Sequence, residues 1–136
     1  MMQNMRLEDD HWCFVCGKGN NSGLKLDFEI KDGKSRAVFI PDKRLQGFKN
    51  IVHGGIISAV LDEAMGKLAF AIGLNTVTAK LEINLRKPTI IGEEYAAYGE
   101  IVEETEKKVI AKAELKKKDG TLVADARGLL IKVKKD

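Results

Sequence analysis

The 136-residue sequence holds only two cysteines, two prolines, two histidines and eight aromatic residues. Two cysteines cannot build a disulfide framework. Two prolines among thirteen glycines exclude collagen-like and proline-rich low-complexity chains. No long hydrophobic run is present. The most apolar stretch, Ile56 to Ile72, is interrupted by Asp62, Glu63 and Lys67, which excludes a membrane span. Met1 to Asp10 carries no apolar segment suited to a signal peptide, so a cytoplasmic location is expected. Charge of one sign is also scarce: 23 Lys and Arg face 20 Asp and Glu, a formal net charge of +3. The excess sits in Lys116-Lys117-Lys118 and in the tail Lys132-Lys134-Lys135. With so few aromatics to stack on bases, these runs read as a solvated hairpin tip and a solvated terminus, and no nucleic-acid partner is expected. The mild positive balance favours an anionic small molecule over a cationic one.

What remains is the balance of one compact domain, 44% apolar and 32% charged. The domain spans 1–136, with residues 1–23 as an irregular N-terminal segment. Leu24, Leu26, Phe28 and Ile30 alternate with Lys25, Asp27 and Glu29, the pattern of a strand buried on one face. Asp32-Gly33 marks a hairpin turn, Ala37 and Phe39 continue the alternation, and residues 41–52 read as a loop. Residues 54–72 switch to helical spacing, with Ile56, Ile57, Val60, Leu61, Ala64, Met65, Leu68, Ala69 and Ile72 on one stripe. Gly73 and Asn75 close that helix. After it the chain alternates again, through Val77 to Leu85, through a run after Gly92, through Val109 to Leu115, and from Leu122 to Val133 beyond the Asp119-Gly120 turn. Six strands around one long helix predict an α+β fold with an antiparallel sheet. One helix of about 28 Å covers too little of such a sheet, so a homo-oligomer is expected.

Cys13 and Cys16 form a single C-x-x-C. A structural zinc site needs four ligands, and with His11 and His53 as the only histidines one chain supplies at best Cys13, Cys16 and His11. Local turn packing is therefore the expectation, with no metal and no cofactor.

The helix carries chemistry on its other face. Gly55, Ala59, Asp62 and Gly66 fall within about 60° of one another, with Ser58 beside them. A solvated face normally carries Lys, Glu, Gln or Arg, and a glycine inside a helix costs about 1 kcal/mol relative to alanine. Small residues around one carboxylate therefore point to a helix or ligand lying close. At the helix start, His53-Gly54-Gly55 places two residues without side chains where backbone N–H groups lack intrahelical partners and the helix dipole favours an oxyanion. Asp62, about two turns along, is expected to face the same groove. An N–H nest and a carboxylate are the parts of acyl transfer. His53 itself reads equally as part of that site or as a capping or core histidine.

The run from Val52 to Gly66, with His53-Gly54-Gly55, six further residues and Asp62, resembles the hotdog-fold acyl-CoA thioesterases, the phenylacetate-degradation type above all. Cys13-Phe14-Val15-Cys16-Gly17, with Asn20, Gly23 and Leu24, is similar to a prefix of many microbial members. The resemblance implies one long central helix wrapped by a curved antiparallel sheet of about six strands, assembled as dimers or dimers of dimers with active sites between subunits. It implies hydrolysis of an acyl- or aryl-acyl-CoA to a carboxylic acid and free coenzyme A, the coenzyme being part of the substrate. Asp62 would be the general base or nucleophile, Gly54 the N–H donor to the thioester carbonyl with Gly55 beside it, and His53 the organiser of the loop. Thr78 would orient the attacking water, and Asn84, Arg86 and Lys87 would meet coenzyme A. Several relatives carry Asn or Gln where this chain has Gly47, with Gln46 and Asn50 as nearby substitutes. Phe48, Met65, Phe70 and Leu74 read either as pocket lining or as core. Two other readings are a non-catalytic acyl-CoA sensor or carrier, and a hotdog dehydratase, for which His53 supplies no evident base.

Overall fold

The computed structural model describes residues 6–134. Residues 1–5 of the opening stretch and Lys135 of the basic tail lie outside the described residues. Six strands form one antiparallel sheet: β1 (Glu29–Lys31), β2 (Lys34–Phe39), β3 (Thr76–Leu85), β4 (Tyr95–Glu104), β5 (Lys108–Lys117) and β6 (Leu122–Lys132), in the spatial order β1-β2-β4-β5-β6-β3. One long helix, α1 (Gly54–Ala71), joins β2 to β3 by way of a short 3-10 turn at Lys43–Leu45. The expected α+β architecture is observed. Among the described residues no helix is long and apolar enough to cross a membrane.

The helix sits on the sheet through Ile57, Val60, Leu61, Ala64, Met65, Leu68 and Ala69. The sheet beneath it is paved with small residues: Ala97 and Gly99 of β4, Ala111 and Ala113 of β5, and Ala126 and Gly128 of β6. Register places Gly99 opposite Ala113, Ala113 opposite Ala126, and Ala111 opposite Gly128. Without long side chains between them, backbone approaches backbone. A Cβ on Gly99 would lie 2.3 Å from the Ala64 carbonyl oxygen and 2.6 Å from Ser35 Oγ. The buried Ser35 hydroxyl donates to that same carbonyl at 2.6 Å, a direct tie from β2 to the middle of α1. The sheet's other face is charged and solvated, with Glu100 paired to Lys34 and Lys112.

One expectation needs correction. Leu24, Leu26 and Phe28 do not lie in a strand, since β1 begins only at Glu29. Leu26 and Phe28 are buried as their alternation implies. Their backbone, however, is tied to the N-terminal loop by Leu24 N–H to Phe14 and Leu26 N–H to Val15, with Lys25 at a positive φ of 52°. The sheet also carries exposed apolar side chains, among them Val38, Leu85 and Val102.

Candidate active site

The segment before α1 is held from both sides. His53 N–H donates to the Leu45 carbonyl and Val52 N–H to that of Thr89, each at 2.8 Å, and Ile51 bridges to Ile90. This delivers His53 as the N-cap of α1, where its Nδ1 accepts from the Gly55 N–H at 2.9 Å. The neutral ring then carries its proton on Nε2. Of the readings left open for His53, capping is the one observed. The cap occupies the Gly55 N–H, so the expected two-donor nest reduces to one. Gly54 N–H makes no hydrogen bond among the described residues.

Beside Gly54 opens a cavity of about 640 Å³, lined among others by Phe48, Val52, His53, Gly54, Ile57 and Leu85. That size suits a small-molecule site. Arg86 and Lys87 also line it, at the C-terminal end of β3. Asn84 does not line it: its amide donates to Asp125 Oδ1 at 2.8 Å, and Arg86 Nε donates to Oδ2 of the same carboxylate. The Arg86 hydrogen bond, reinforced by Asn84, holds the Asp125 carboxyl below its usual range. Lys87 lines the cavity without an ion pair among the described residues, and its charge acts on the Asp119 carboxylate. Neither Gln46 nor Asn50 lines the cavity, because the Gln46 side-chain oxygen accepts from Asn50 N–H within the loop. Phe48 does line it and is 87% exposed. Met65 is core, Leu74 packs against the core, and Phe70 lies outside with the Lys67 ammonium over its ring.

Asp62 is half-buried and lies two turns further along α1. Thr78 Oγ1, on edge strand β3, donates to Asp62 Oδ1 at 2.8 Å, while Oδ2 accepts no hydrogen bond among the described residues. Asp62 does not line the Gly54 cavity, which corrects the expectation that both face one groove of the same chain. Eight residues of helix separate them by about 12 Å. Outside Gly66, one turn beyond Asp62, the space is open: a Cβ there would meet nothing within 4 Å.

The profile of the thioesterase superfamily matches residues 49–124, from the loop before His53 to β6. The chain belongs to the thioesterase superfamily. An uncharacterized protein of Schizosaccharomyces pombe is 32% identical over 118 residues, covering 79% of this chain, and this chain spans 66% of that protein's length. A crystal structure described as a thioesterase superfamily protein, RHA08564, superposes with a TM-score of 0.84 at 23% identity, over 93% of this chain and 67% of the other. The PaaI protein of the Escherichia coli phenylacetic acid degradation operon gives 0.75 at 18% identity, over 80% and 84%. A hypothetical thioesterase protein of Streptococcus pneumoniae, solved with coenzyme A, also gives 0.75 at 18% identity, over 79% and 84%. The hotdog fold implied by the helix motif is thus the fold observed, shared with PaaI. Crystal structures of the Streptococcus pneumoniae thioesterase also exist for two alanine variants, of a Thr and of an Asp.

Sequence reading missed Asp125, whose role depends on β6 lying beside β3, and no pattern in the chain signals it.

Proposed function

We propose that this protein hydrolyses the thioester of an acyl- or aryl-acyl-CoA, as a cytoplasmic homo-oligomer with two chains contributing to each site. The observation that carries the reading is the Thr78–Asp62 hydrogen bond to the helix of a thioesterase-superfamily chain whose Gly54 lines a cavity. The thioester carbonyl oxygen would accept from Gly54 N–H, at the positive end of the α1 dipole. An attacking water would be deprotonated by the free Asp62 Oδ2, with Thr78 holding the other oxygen. Collapse of the tetrahedral intermediate would expel the coenzyme A thiolate. In a variant of this scheme Asp62 attacks the carbonyl itself.

A separation of about 12 Å is too long for one carbon to be reached by Gly54 and Asp62 of the same chain, since reacting groups must approach to about 3 Å. The site therefore needs Asp62 of a second copy, and the open space beside Gly66 supports such an approach. Lys87 and Arg86 would receive the anionic groups of coenzyme A, the ligand solved with the Streptococcus pneumoniae thioesterase.

Thiol release from short-chain, long-chain and aryl acyl-CoAs tests the proposal. Asp62→Ala is expected to lose about 10²-fold or more in rate. A folded Asp62→Ala protein that released thiol at the wild-type rate would overturn it. Tight acyl-CoA binding without turnover would instead identify a sensor or carrier.

A further inference from the structure

The N-terminal C-x-x-C has no part in the chemistry above, yet the fold gives it a third ligand. Sγ of Cys13, Sγ of Cys16 and a carboxylate oxygen of Glu63 lie within 4.8 Å of one another, and Cys13 Sγ is 3.6 Å from Glu63 Oε2. Glu63 is the helix residue next to Asp62, fifty positions from Cys13, which is why no spacing rule finds it. His11, the most that the sequence could offer as a third ligand, is not in the group, and its ring is 79% exposed.

We propose that Cys13, Cys16 and Glu63 bind a zinc ion that clamps the N-terminal segment to α1. This reading does not rest on the proposed hydrolysis. Four observations carry it. The first is distance: a tetrahedral Zn²⁺ with Zn–S bonds of about 2.3 Å and Zn–O bonds of about 2.0 Å separates its ligand atoms by roughly 3.5–3.8 Å. The three atoms already approach that spacing, and small side-chain rotations close it.

The second is the frame around the thiols. Gly17 N–H donates to the Cys13 carbonyl at 2.9 Å, and Gly19 N–H to that of His11 at 2.8 Å. Gly17 must be glycine, because a Cβ there would fall 2.4 Å from Cys13 N and 2.7 Å from the His11 oxygen. This tight turn, anchored by buried Val15, holds both thiols toward the helix.

The third is charge. Glu63 forms no ion pair among the described residues, although Lys67 follows it by one helical turn. The Lys67 ammonium lies instead over the Phe70 ring, 5.8 Å from its centroid. The carboxylate is thus turned to the two sulfurs and lacks a cation. Two thiolates and a carboxylate around Zn²⁺ leave one net negative charge, and metal entry releases the two thiol protons.

The fourth is access. A cavity of about 270 Å³ beside the cluster is lined by Glu8, Asp9, Cys13, Cys16, Glu63 and Lys67 among others. It gives the ion an entry path and offers a water, Glu8 or Asp9 as fourth ligand. Soft thiolates with a single carboxylate favour Zn²⁺ over Mg²⁺ or Ca²⁺.

The test uses the full chain, reduced and stripped of metal with a chelator, then given Zn²⁺ or Co²⁺ alone. The expected results are about one metal per chain after desalting, a thiolate-to-cobalt charge-transfer band with tetrahedral d–d bands, and a thermal midpoint raised by several degrees with Zn²⁺. Glu63→Gln is expected to weaken Zn²⁺ binding by about tenfold or more. As a readout needing no variant, Zn²⁺ should protect Cys13 and Cys16 from alkylation. Absence of the charge-transfer band, retention below about one tenth of an equivalent, unprotected thiols, or unchanged affinity in a folded Glu63→Gln protein would each overturn the proposal.

Discussion

Thr78 reaches from the edge strand β3 to the helix and donates a 2.8 Å hydrogen bond to Asp62 Oδ1. The bond fixes which carboxylate oxygen is engaged and leaves the other for a water. A bulge in β3 between Thr78 and Lys80, where the register against β6 shifts, lies directly beside it. In the proposed hydrolysis Thr78 would position Asp62. Thr78→Ala is expected to lower kcat about tenfold, the scale of one hydrogen bond to a charged group. Thr78→Ser should restore most of it, since only the hydroxyl is needed. Steady-state kinetics with an acyl-CoA checks both.

Lys87 stands at the cavity with no ion pair among the described residues, whereas Arg86 is already engaged by Asp125. Lys87→Ala is expected to raise KM roughly two- to fivefold with kcat little changed, the range of an exposed charge contact. The difference from wild type should shrink as salt is added, because screening weakens the same contact.

Asp125 has its carboxyl held below the ordinary range, first by Arg86 and then by Asn84. With the folded-state value depressed, the unfolded chain binds more protons in the intervening range. The contribution is thus present above the unfolded value of about 3.9 and lost as pH falls through the folded one. Asp125→Asn is expected to be less stable than wild type at pH 7, with the gap closing below about pH 4. Urea midpoints across that range measure it.

Gly99 is a point of close approach between sheet and helix. Gly99→Ala forces a methyl group against the Ala64 carbonyl and the Ser35 hydroxyl, neither the end of a flexible chain. A loss of about 3 kcal/mol or more is expected, at the upper end of overpacking penalties. Chemical denaturation reads it directly, and Ser35→Ala, which leaves more room, should soften it.

Much of this was legible in the chain alone. Period-2 and period-3.6 patterns are local consequences of how side chains project from strands and helices. They located α1 and five of the six strands, and the Asp32-Gly33 and Asp119-Gly120 turns. The exception was Leu24 to Phe28, where alternation predicted burial correctly and strand wrongly. Burial is set by which side chains face the core, whereas a strand also needs a neighbour for its backbone, and here the N-terminal loop takes those bonds. The motif His53-Gly54-Gly55 similarly marked the start of the right helix, because cap and backbone donors sit on one short segment.

Contacts that join distant segments had no local signature. That His53 caps Gly55 and leaves Gly54 as the single free donor depended on the loop's bracing by Leu45 and Thr89. That Asn84 turns away from the cavity depended on β6 lying next to β3. That Cys13 and Cys16 meet Glu63 depended on the N-terminal turn folding back over α1. Hydrogen bonding and ligand geometry act over a few ångströms, so only the folded chain, which brings residues fifty positions apart to that range, decides them.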